Sequence, residues 1–448
     1  MTTTGYYNDM FSTPIMCENF SDASLIKSWI KTEIALAKAQ ASIGIIPEGV
    51  DNRLQEIAKI ENFDLAAMKD DFKKTGFPIL PFVKQLTKLC DSDTARWVHY
   101  GATTQDILDT GMVLQIRDGL LIIENDLEGI VRALFSLTTK YRSSVMPGRT
   151  FQQLAAPITF GFKAAIWLDE ILRHIDRLKE IKKRLLVGQC SGAVGTFATL
   201  NDKGVNIQKL MMKELGLMSP DITWHTARDR WSELVSFFAL LTSTLAKIAN
   251  EIAILMRSEI GELSEPFEPG RGASTTLPQK RNPISCEPIL AIAHRMRELS
   301  GSQISAMIQE HERGVGQMHI EWMVIPEAFK LLSGSLSHSR FILENLQVDV
   351  KRMRNNLDID GGLIMSEAVM MGLAPKLGKS RAHHLIYDAA GVAMNGGFSL
   401  RDAIIRDSEI MNQINEKELD RLLDPVNYLG STDQMIDTIL FKAEKYKN

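Results

Sequence analysis

The chain has 448 residues, which is more than one typical domain holds, so two or three domains are expected. Lysine and arginine number 51 against 55 aspartates and glutamates, and the net charge of −4 offers no general attraction for nucleic acid or an anionic membrane. The four cysteines lie far apart without a paired spacing, which argues against a disulfide framework and against a cysteine zinc site.

The N-terminal segment reads Met-Thr-Thr-Thr-Gly-Tyr-Tyr and has neither the basic start nor the apolar stretch of a signal peptide. No segment approaches the roughly 18 uninterrupted apolar residues of a membrane-spanning helix. We therefore expect a soluble, cytoplasmic protein without membrane or nucleic-acid partners.

The segment His99–Thr110 is rich in hydroxyl groups and precedes the first long helical pattern. In one interpretation Thr104 or Asp106 simply caps the following helix. In the other, the amides at the helix N-terminus and the side chains of Thr103, Thr104 and Gln105 hold a carboxylate of a substrate.

Helical periodicity dominates the centre of the chain. Long patterns cover about 111–142, 152–186, 227–260, 284–312 and 321–346, whereas no stretch shows sustained strand alternation between hairpin turns. In the third pattern, apolar residues from Trp231 to Leu255 recur at spacings of three and four, which predicts one helix of about 50 Å. The fold is predicted to be all-α.

Several of these patterns are apolar on more than one face. In the third pattern Val235, Phe237, Leu240 and Ile254 lie outside the main apolar stripe. A large single-chain core is one explanation, and burial between subunits is the other.

The segment Gly270–Pro283 separates two of the long helical patterns. Two glycines and two prolines exclude a continuous helix, while three hydroxyl groups with Lys280, Arg281 and Asn282 supply many donors. This composition suits a loop that closes over a carboxylate, although an ordinary solvated loop that caps the next helix has the same residue types.

The loop resembles the signature Gly-Ser-Ser-x-Met-Pro-x-Lys-x-Asn-Pro of the fumarase/aspartase superfamily. Ser274, Pro278, Lys280, Asn282 and Pro283 stand in the matching places. The resemblance implies that Ser274 is the general base, and that Lys280 and Asn282 stabilise a carbanion formed beside a carboxylate. It implies chemistry without a metal or an organic cofactor, on a small carboxylate substrate.

The same resemblance implies three helical domains. Turn and breaker residues in Gly101–Thr110 and Asn355–Gly362 place their bounds at 1–110, 111–355 and 356–448. The central domain would be a bundle of five long helices that assembles into the twenty-helix core of a homotetramer, with the catalytic loop at 261–283. Three subunits of the tetramer would contribute to each site.

Other segments match further motifs of the superfamily and extend the implied site. Its substrate-binding residues would be His99, Thr103, Thr104, Gln105, Arg149, Thr150, Gln153, His225, Arg228, Thr275 and Arg313. His225 and His311 are candidate proton carriers or, as is more common for a single histidine, hydrogen-bonded structural residues. The adjacent pair His383 and His384 cannot share one helix face and is a poor metal site.

Phe151 stands where many members of the superfamily carry a histidine, and phenylalanine cannot exchange a proton. With Gln153 it is similar to the branch of bacterial 3-carboxy-cis,cis-muconate cycloisomerases, whose chemistry closes a lactone on an unsaturated tricarboxylate. A core aromatic residue without chemical meaning is the alternative.

Gln279 departs from that branch, where a histidine is common, so decarboxylation of an aconitate-like tricarboxylate is a rival activity. Fumarate-releasing cleavage, as in adenylosuccinate and argininosuccinate lyases, is opposed by Phe151. The adenylosuccinate activity is further opposed by the lack of an Arg-Tyr pair near the N-terminus. A non-catalytic structural protein on this fold, as in lens crystallins, is opposed by the presence of Ser274, Lys280 and Asn282.

Overall fold

The computed structural model describes residues 5–268, 270–272, 276–277 and 279–446. The helices, in chain order, are α1 (Asn8–Phe11), α2 (Pro14–Asn19), α3 (Asp22–Ser42), α4 (Val50–Ile57), α5 (Leu65–Thr75), α6 (Ile79–Leu89), α7 (Ser92–Ala95), α8 (Thr104–Lys140), α9 (Phe160–Leu185), α10 (Gly204–Leu215), α11 (Asp229–Leu255), α12 (Cys286–Ser305), α13 (Gln317–Glu344), α14 (Val350–Asn356), α15 (Ser366–Leu377), α16 (Lys379–Gly396), α17 (Leu400–Ile405), α18 (Ser408–Met411), α19 (Glu416–Leu423) and α20 (Thr432–Ala443). The short strands are β1 (Val145–Thr150), β2 (Gln153–Thr159), β3 (Leu263–Ser264) and β4 (Gln347–Val348). The predicted all-α fold class is confirmed.

The five predicted long helices are α8, α9, α11, α12 and α13, which have 37, 26, 27, 20 and 28 residues. Helix α8 begins at Thr104, earlier than the predicted 111, because the polar residues before 111 form the first turns of the helix. Helix α9 begins at Phe160 and not near 152, because the residues before it form a hairpin.

The chain folds into two compact units. The first contains the chain up to Asp126 with His174–Leu245 and Pro288–Ser337, and the second contains Leu127–Arg173, Ala246–Glu287 and the chain from His338 onward. The three domains inferred from the sequence, with boundaries near 110 and 355, remain a prediction.

The hairpin of β1 and β2 in the second unit corrects the expectation that this region is helical. The strands pair antiparallel from Val145↔Thr159 to Thr150↔Gln153, with a bulge between Gly148 and Arg149. The bulge shifts the register and so breaks the alternation by which a strand is recognised in a sequence. The two-residue turn is also built from Phe-Gln, not from the glycine-containing pairs that usually mark such turns.

In the first unit, α3 packs closely against α8 at Gly111. A Cβ atom on Gly111 would lie 2.8 Å from Ser28 Oγ and 2.8 Å from Trp29 Cδ1. Any larger residue at this position would push the two helices apart. The close approach matters because α3 contributes a residue to the site described below.

Helix α11 is the one helix among the described residues that is long and apolar enough to cross a membrane, judged by length and composition. Its apolar stripe, including Trp231, Leu234 and Phe238, is buried inside the protein, as is usual for a core helix. Of the residues outside that stripe, Phe237 is buried as well, whereas Leu240 is 56% exposed.

Candidate active site

His99 begins the first polar motif and has a strained backbone. Its φ of +57° lies in the left-handed region, which is uncommon for residues other than glycine. Its Nδ1 atom lies 2.6 Å from a carboxylate oxygen of Glu33 on α3. Burial lowers the pKa of His99, but the charge and hydrogen bond of Glu33, with Asp106, outweigh burial and raise the pKa overall.

Asp106, in the first turn of α8, is the centre of a buried hydrogen-bond cluster. Its carboxylate accepts bonds from the backbone N–H of Thr103 at 2.9 Å, of Ser191 at 3.0 Å and of Gly192 at 2.9 Å. Because α8 begins at Thr104, the N-cap position is Thr103, and Asp106 is the third residue of the helix, whose carboxylate binds the Thr103 N–H as half of a capping box. Neither Thr104 nor Asp106 is therefore the N-cap residue itself. The other two bonds attach the glycine-containing segment that begins at Ser191 to the start of the helix.

The hydroxyl groups of Thr103 and Thr104 lie at the N-terminus of α8 and are partly exposed. Neither hydroxyl makes a hydrogen bond to any described residue. The N-terminus of a 37-residue helix carries partial positive charge and favours an anion. This end of the helix can therefore bind a carboxylate.

His225 is buried and bonded to the same cluster. Its Nε2 atom lies 3.0 Å from Asp106, its side chain is 2% exposed, and its Nδ1 atom has no hydrogen-bond partner. An imidazole so enclosed is suited to hold Asp106 in place. The other candidate proton carrier, His311, is exposed.

Arg228 joins two buried carboxylates. Its guanidinium donates to Asp109 at 2.7 and 3.0 Å and to Glu321 at 2.9 and 2.6 Å, and it stacks on the ring of Trp231 at 4.1 Å. Burial raises the pKa of Glu321, although Arg228 acts in the opposite direction. Because its guanidinium is hydrogen-bonded to Asp109 on α8 and to Glu321 on α13, Arg228 is placed to hold these two helices together.

Arg313 is exposed and is held at the edge of this cluster. Its Nε atom donates to Gln105 Oε1 at 2.6 Å, and one terminal nitrogen donates to the carbonyl of Ala193 at 3.1 Å. Gln105 is itself fixed, since it donates to the carbonyl of His225 at 2.8 Å and to Asp109 at 3.1 Å. The structure thus brings together Gln105 and Arg313, and leaves the rest of the guanidinium available for an anion.

In the second unit, Arg149 forms a bidentate pair with Glu262 at 3.0 and 2.6 Å. The Glu262 side chain is fully buried and also accepts a bond from Asn356 at 2.7 Å. The guanidinium of Arg149 is therefore held by an internal carboxylate, and its predicted contact with substrate remains untested.

Phe151 and Gln152 form the turn of the hairpin, with φ of +50° and +68°. Both are unfavourable for residues with side chains. The Phe151 side chain is fully exposed, so the interpretation as a core aromatic residue is wrong for this chain. Thr150 and Gln153 flank the turn as a cross-strand pair and are exposed.

The segment after β3 contains the predicted catalytic loop, of which Ser274, Thr275 and Pro278 lie outside the described residues. Asn282 closes the loop neck: its Nδ2 atom donates to the carbonyl of Gly272 at 3.3 Å. The guanidinium of Arg271 donates to Ser285 Oγ at 2.5 Å. Lys280, between these contacts, is exposed.

The described candidates fall into two groups, one in each unit. The first unit contains His99, Thr103, Thr104, Gln105, His225, Arg228 and Arg313, and the second contains Arg149, Thr150, Gln153, Lys280 and Asn282. Within the first group, Gln105, His225, Arg228 and Arg313 belong to one hydrogen-bond network around Asp106 and Asp109.

Sequence reasoning missed three parts of that network. The carboxylates of Asp109 and Glu321 hold Arg228, and the amides of the Ser191 segment bind Asp106. The Ser191 segment could have been found from the pattern Ser-Gly-Ala-Val-Gly-Thr, which lies between two helical patterns and is typical of a loop. Glu33 gave no signal, because a single glutamate in a helical pattern reads as a solvated residue.

Residues 10–297 match the family described as Lyase, and residues 362–439 match the one described as Adenylosuccinate lyase C-terminus. The first match covers more than half of the chain, which therefore belongs to this lyase family, within the fumarase/aspartase superfamily. The protein is a lyase or cycloisomerase, and enzymes of this family act on small carboxylate substrates.

Individual relatives indicate which enzymes of the family this chain is similar to. The chain is 40% identical to 3-carboxy-cis,cis-muconate cycloisomerase of Acinetobacter baylyi, over 98% of both chains. It is also 40% identical to trans-aconitate decarboxylase 1 of Mycosarcoma maydis, over 97% of this chain and 88% of that protein. The crystal structure of the 3-carboxy-cis,cis-muconate lactonizing enzyme from Pseudomonas putida superposes with a TM-score of 0.95 at 37% identity, and covers 99% of this chain and 100% of that one.

Proposed function

We propose that this enzyme is a cycloisomerase that closes a lactone on 3-carboxy-cis,cis-muconate. In this reaction one carboxylate oxygen of the substrate adds to a carbon–carbon double bond. The electron pair moves to the neighbouring carbon, where a second carboxylate stabilises it, and that carbanion takes one proton. No atom is lost from the carbon skeleton, and the reverse reaction returns the proton and reopens the ring.

Phe151 is the observation that carries the proposal. A lyase that releases an amine needs an acid to protonate the leaving group, whereas a lactone opens with a carboxylate as leaving group, which needs no proton. One proton carrier is therefore sufficient, and an aromatic residue in place of histidine costs this reaction nothing. The fully exposed side chain of Phe151 is available to a substrate or to another chain.

The remaining roles follow from the chemistry of each group. Ser274 would exchange the proton with the substrate carbon, and Lys280 and Asn282 would stabilise the carbanion. Thr103, Thr104 and the N-terminus of α8 would bind one carboxylate. Arg313 would bind another, since Gln105 fixes the orientation of its guanidinium.

These residues would act together in a homotetramer in which different subunits supply the parts of one site. Exposed apolar side chains on the long helices support this assembly. Leu121 on α8, Leu240 on α11 and Met323 on α13 are 57%, 56% and 62% exposed in the single chain. The proposed location is the cytoplasm.

Decarboxylation of trans-aconitate is the second candidate. The relative with that activity is as similar in sequence as the cycloisomerase, and Gln279 places a neutral side chain beside Lys280. With the neutral Gln279, the site would bind a tricarboxylate less tightly than with a protonated histidine at this position. Such a site would suit a substrate whose carboxylates are arranged differently.

An ultraviolet turnover assay of the purified protein distinguishes these activities. The substrates are 3-carboxy-cis,cis-muconate, both aconitate isomers, adenylosuccinate and argininosuccinate, and Ser274→Ala serves as the matched inactive control. We expect turnover of the muconate alone. Turnover of an aconitate without the muconate would support the second candidate, and turnover of none of the five would contradict both.

A further inference from the structure

Glu33 is a buried carboxylate for which His99 is the one charged partner among the described residues. It lies in the middle of α3, its side chain is 2% exposed, and the structure gives it a single side-chain hydrogen bond, to His99 Nδ1 at 2.6 Å. An isolated buried carboxylate is strongly unfavourable, so a positive charge on its partner stabilises both groups. The short distance is typical of a charge-assisted hydrogen bond.

Helix α3 also fixes the strained backbone around His99. Gln40, two turns after Glu33, donates from Nε2 to the carbonyl of Tyr100 at 2.7 Å. The left-handed φ of His99 is followed by a second left-handed residue, Gly101 at +77°. Strain of this kind persists where the surrounding contacts hold it, and it is common at functional sites.

The second nitrogen of His99, Nε2, makes no hydrogen bond to any described residue, and the side chain is 19% exposed. The charged or titratable groups that face the imidazole are Glu33 from α3 and Asp106 from α8. Asp106 is already satisfied by three backbone amides and by His225. Glu33 is therefore the group that can govern the charge of His99.

We propose that Glu33 is a positioning residue that keeps the His99 imidazole protonated, so that its Nε2–H is offered to a carboxylate of the substrate. The proposal rests on the proposed function, because it assigns the His99 donor to a tricarboxylate substrate. Glu33 does not touch the substrate itself. Its loss should weaken binding of the anion more than it slows the chemical step, so KM should rise while kcat changes little.

Titration of His99 by NMR, with ¹³C-labelled histidine in the full-length protein, tests the first half of the proposal without turnover. The His99→Asn variant assigns the signal. In the wild-type protein we expect a pKa above the ordinary value near 6.5, and a fall in Glu33→Gln. A wild-type value at or below the ordinary one would overturn the proposal, whether or not Glu33→Gln folds.

Binding of tricarballylate, a saturated tricarboxylate, tests the second half. We expect affinity at pH 7.5 to fall about tenfold in Glu33→Gln for each unit by which the pKa of His99 falls below that pH. The control is Thr32→Val on the same helix, which is equally buried and bonds only within the helix. Unchanged affinity in Glu33→Gln, or an equal loss in Thr32→Val, would overturn the assignment. If tricarballylate binds normally but no muconate is turned over, the proposed function fails and the role of Glu33 stands.

Discussion

The polar start of α8 and the neck of the predicted catalytic loop are built in opposite ways. At the start of α8, Asp106 alone accepts four hydrogen bonds and is fully buried. At the loop neck, the side chain of Asn282 makes one hydrogen bond, 3.3 Å long, to the carbonyl of Gly272, and Lys280 is exposed. A rigid network suits groups that must hold a carboxylate in one place, whereas exposed groups with few contacts suit a role that begins once a substrate is bound.

Loss of Arg228 should produce the largest effect, because it leaves Asp109 and Glu321 buried without a cation. We expect Arg228→Leu to lower the free energy of unfolding by about 3–5 kcal/mol, measured by urea denaturation. The matched control is Arg184→Leu, which removes the exposed pair of Arg184 with Glu233 and should cost less than about 1 kcal/mol. Similar losses in both variants would show that the network at α8 is not the rigid part.

On the catalytic loop, Ser274→Ala should change activity and leave stability nearly unaltered. Turnover should fall roughly a hundredfold or more if Ser274 is the base, with little change in the free energy of unfolding. Steady-state kinetics and a thermal melt on the same preparation separate the two effects. Full activity in the variant would remove Ser274 from the mechanism.

Stability should also depend on pH through His99. Its pKa is raised in the folded state, so its stabilising contribution is complete below the unfolded pKa of about 6.5 and is lost as pH rises through the folded pKa. The change is about 1.4 kcal/mol for each unit of the shift. Urea denaturation between pH 6 and pH 9 should show this loss in the wild type and not in Glu33→Gln; parallel curves would contradict it.

At the hairpin, Phe151→Ala should have the smallest effect on stability. The side chain is fully exposed, so the free energy of unfolding measured at low protein concentration should change by less than about 0.5 kcal/mol. Activity should fall in the same variant if the side chain completes a site. A loss of stability well above this value would contradict the exposed position of the Phe151 side chain.

The long helices could be predicted because their apolar residues repeat over many turns, as from Trp231 to Leu255 in α11. The hairpin could not, because a bulge at Gly148 and a Phe-Gln turn hide the strand pattern. In the site, Arg313 and Gln105 were found as residue types within motifs. The contact between Arg313 and Gln105 joins residues 208 positions apart, and the contact between His99 and Glu33 joins residues 66 positions apart. No local sequence pattern reveals contacts over such separations.

The central claim is that the carboxylate-binding start of α8 and the catalytic loop serve one site supplied by different subunits. The direct test mixes Ser274→Ala and Thr103→Ala proteins, each of which we expect to be inactive alone, and exchanges their subunits by mild denaturation and refolding. We predict that activity returns, to about a quarter of the wild-type level, because a site is intact when both of its contributing chains are unaltered there. Absence of any recovery in properly mixed tetramers would contradict the claim.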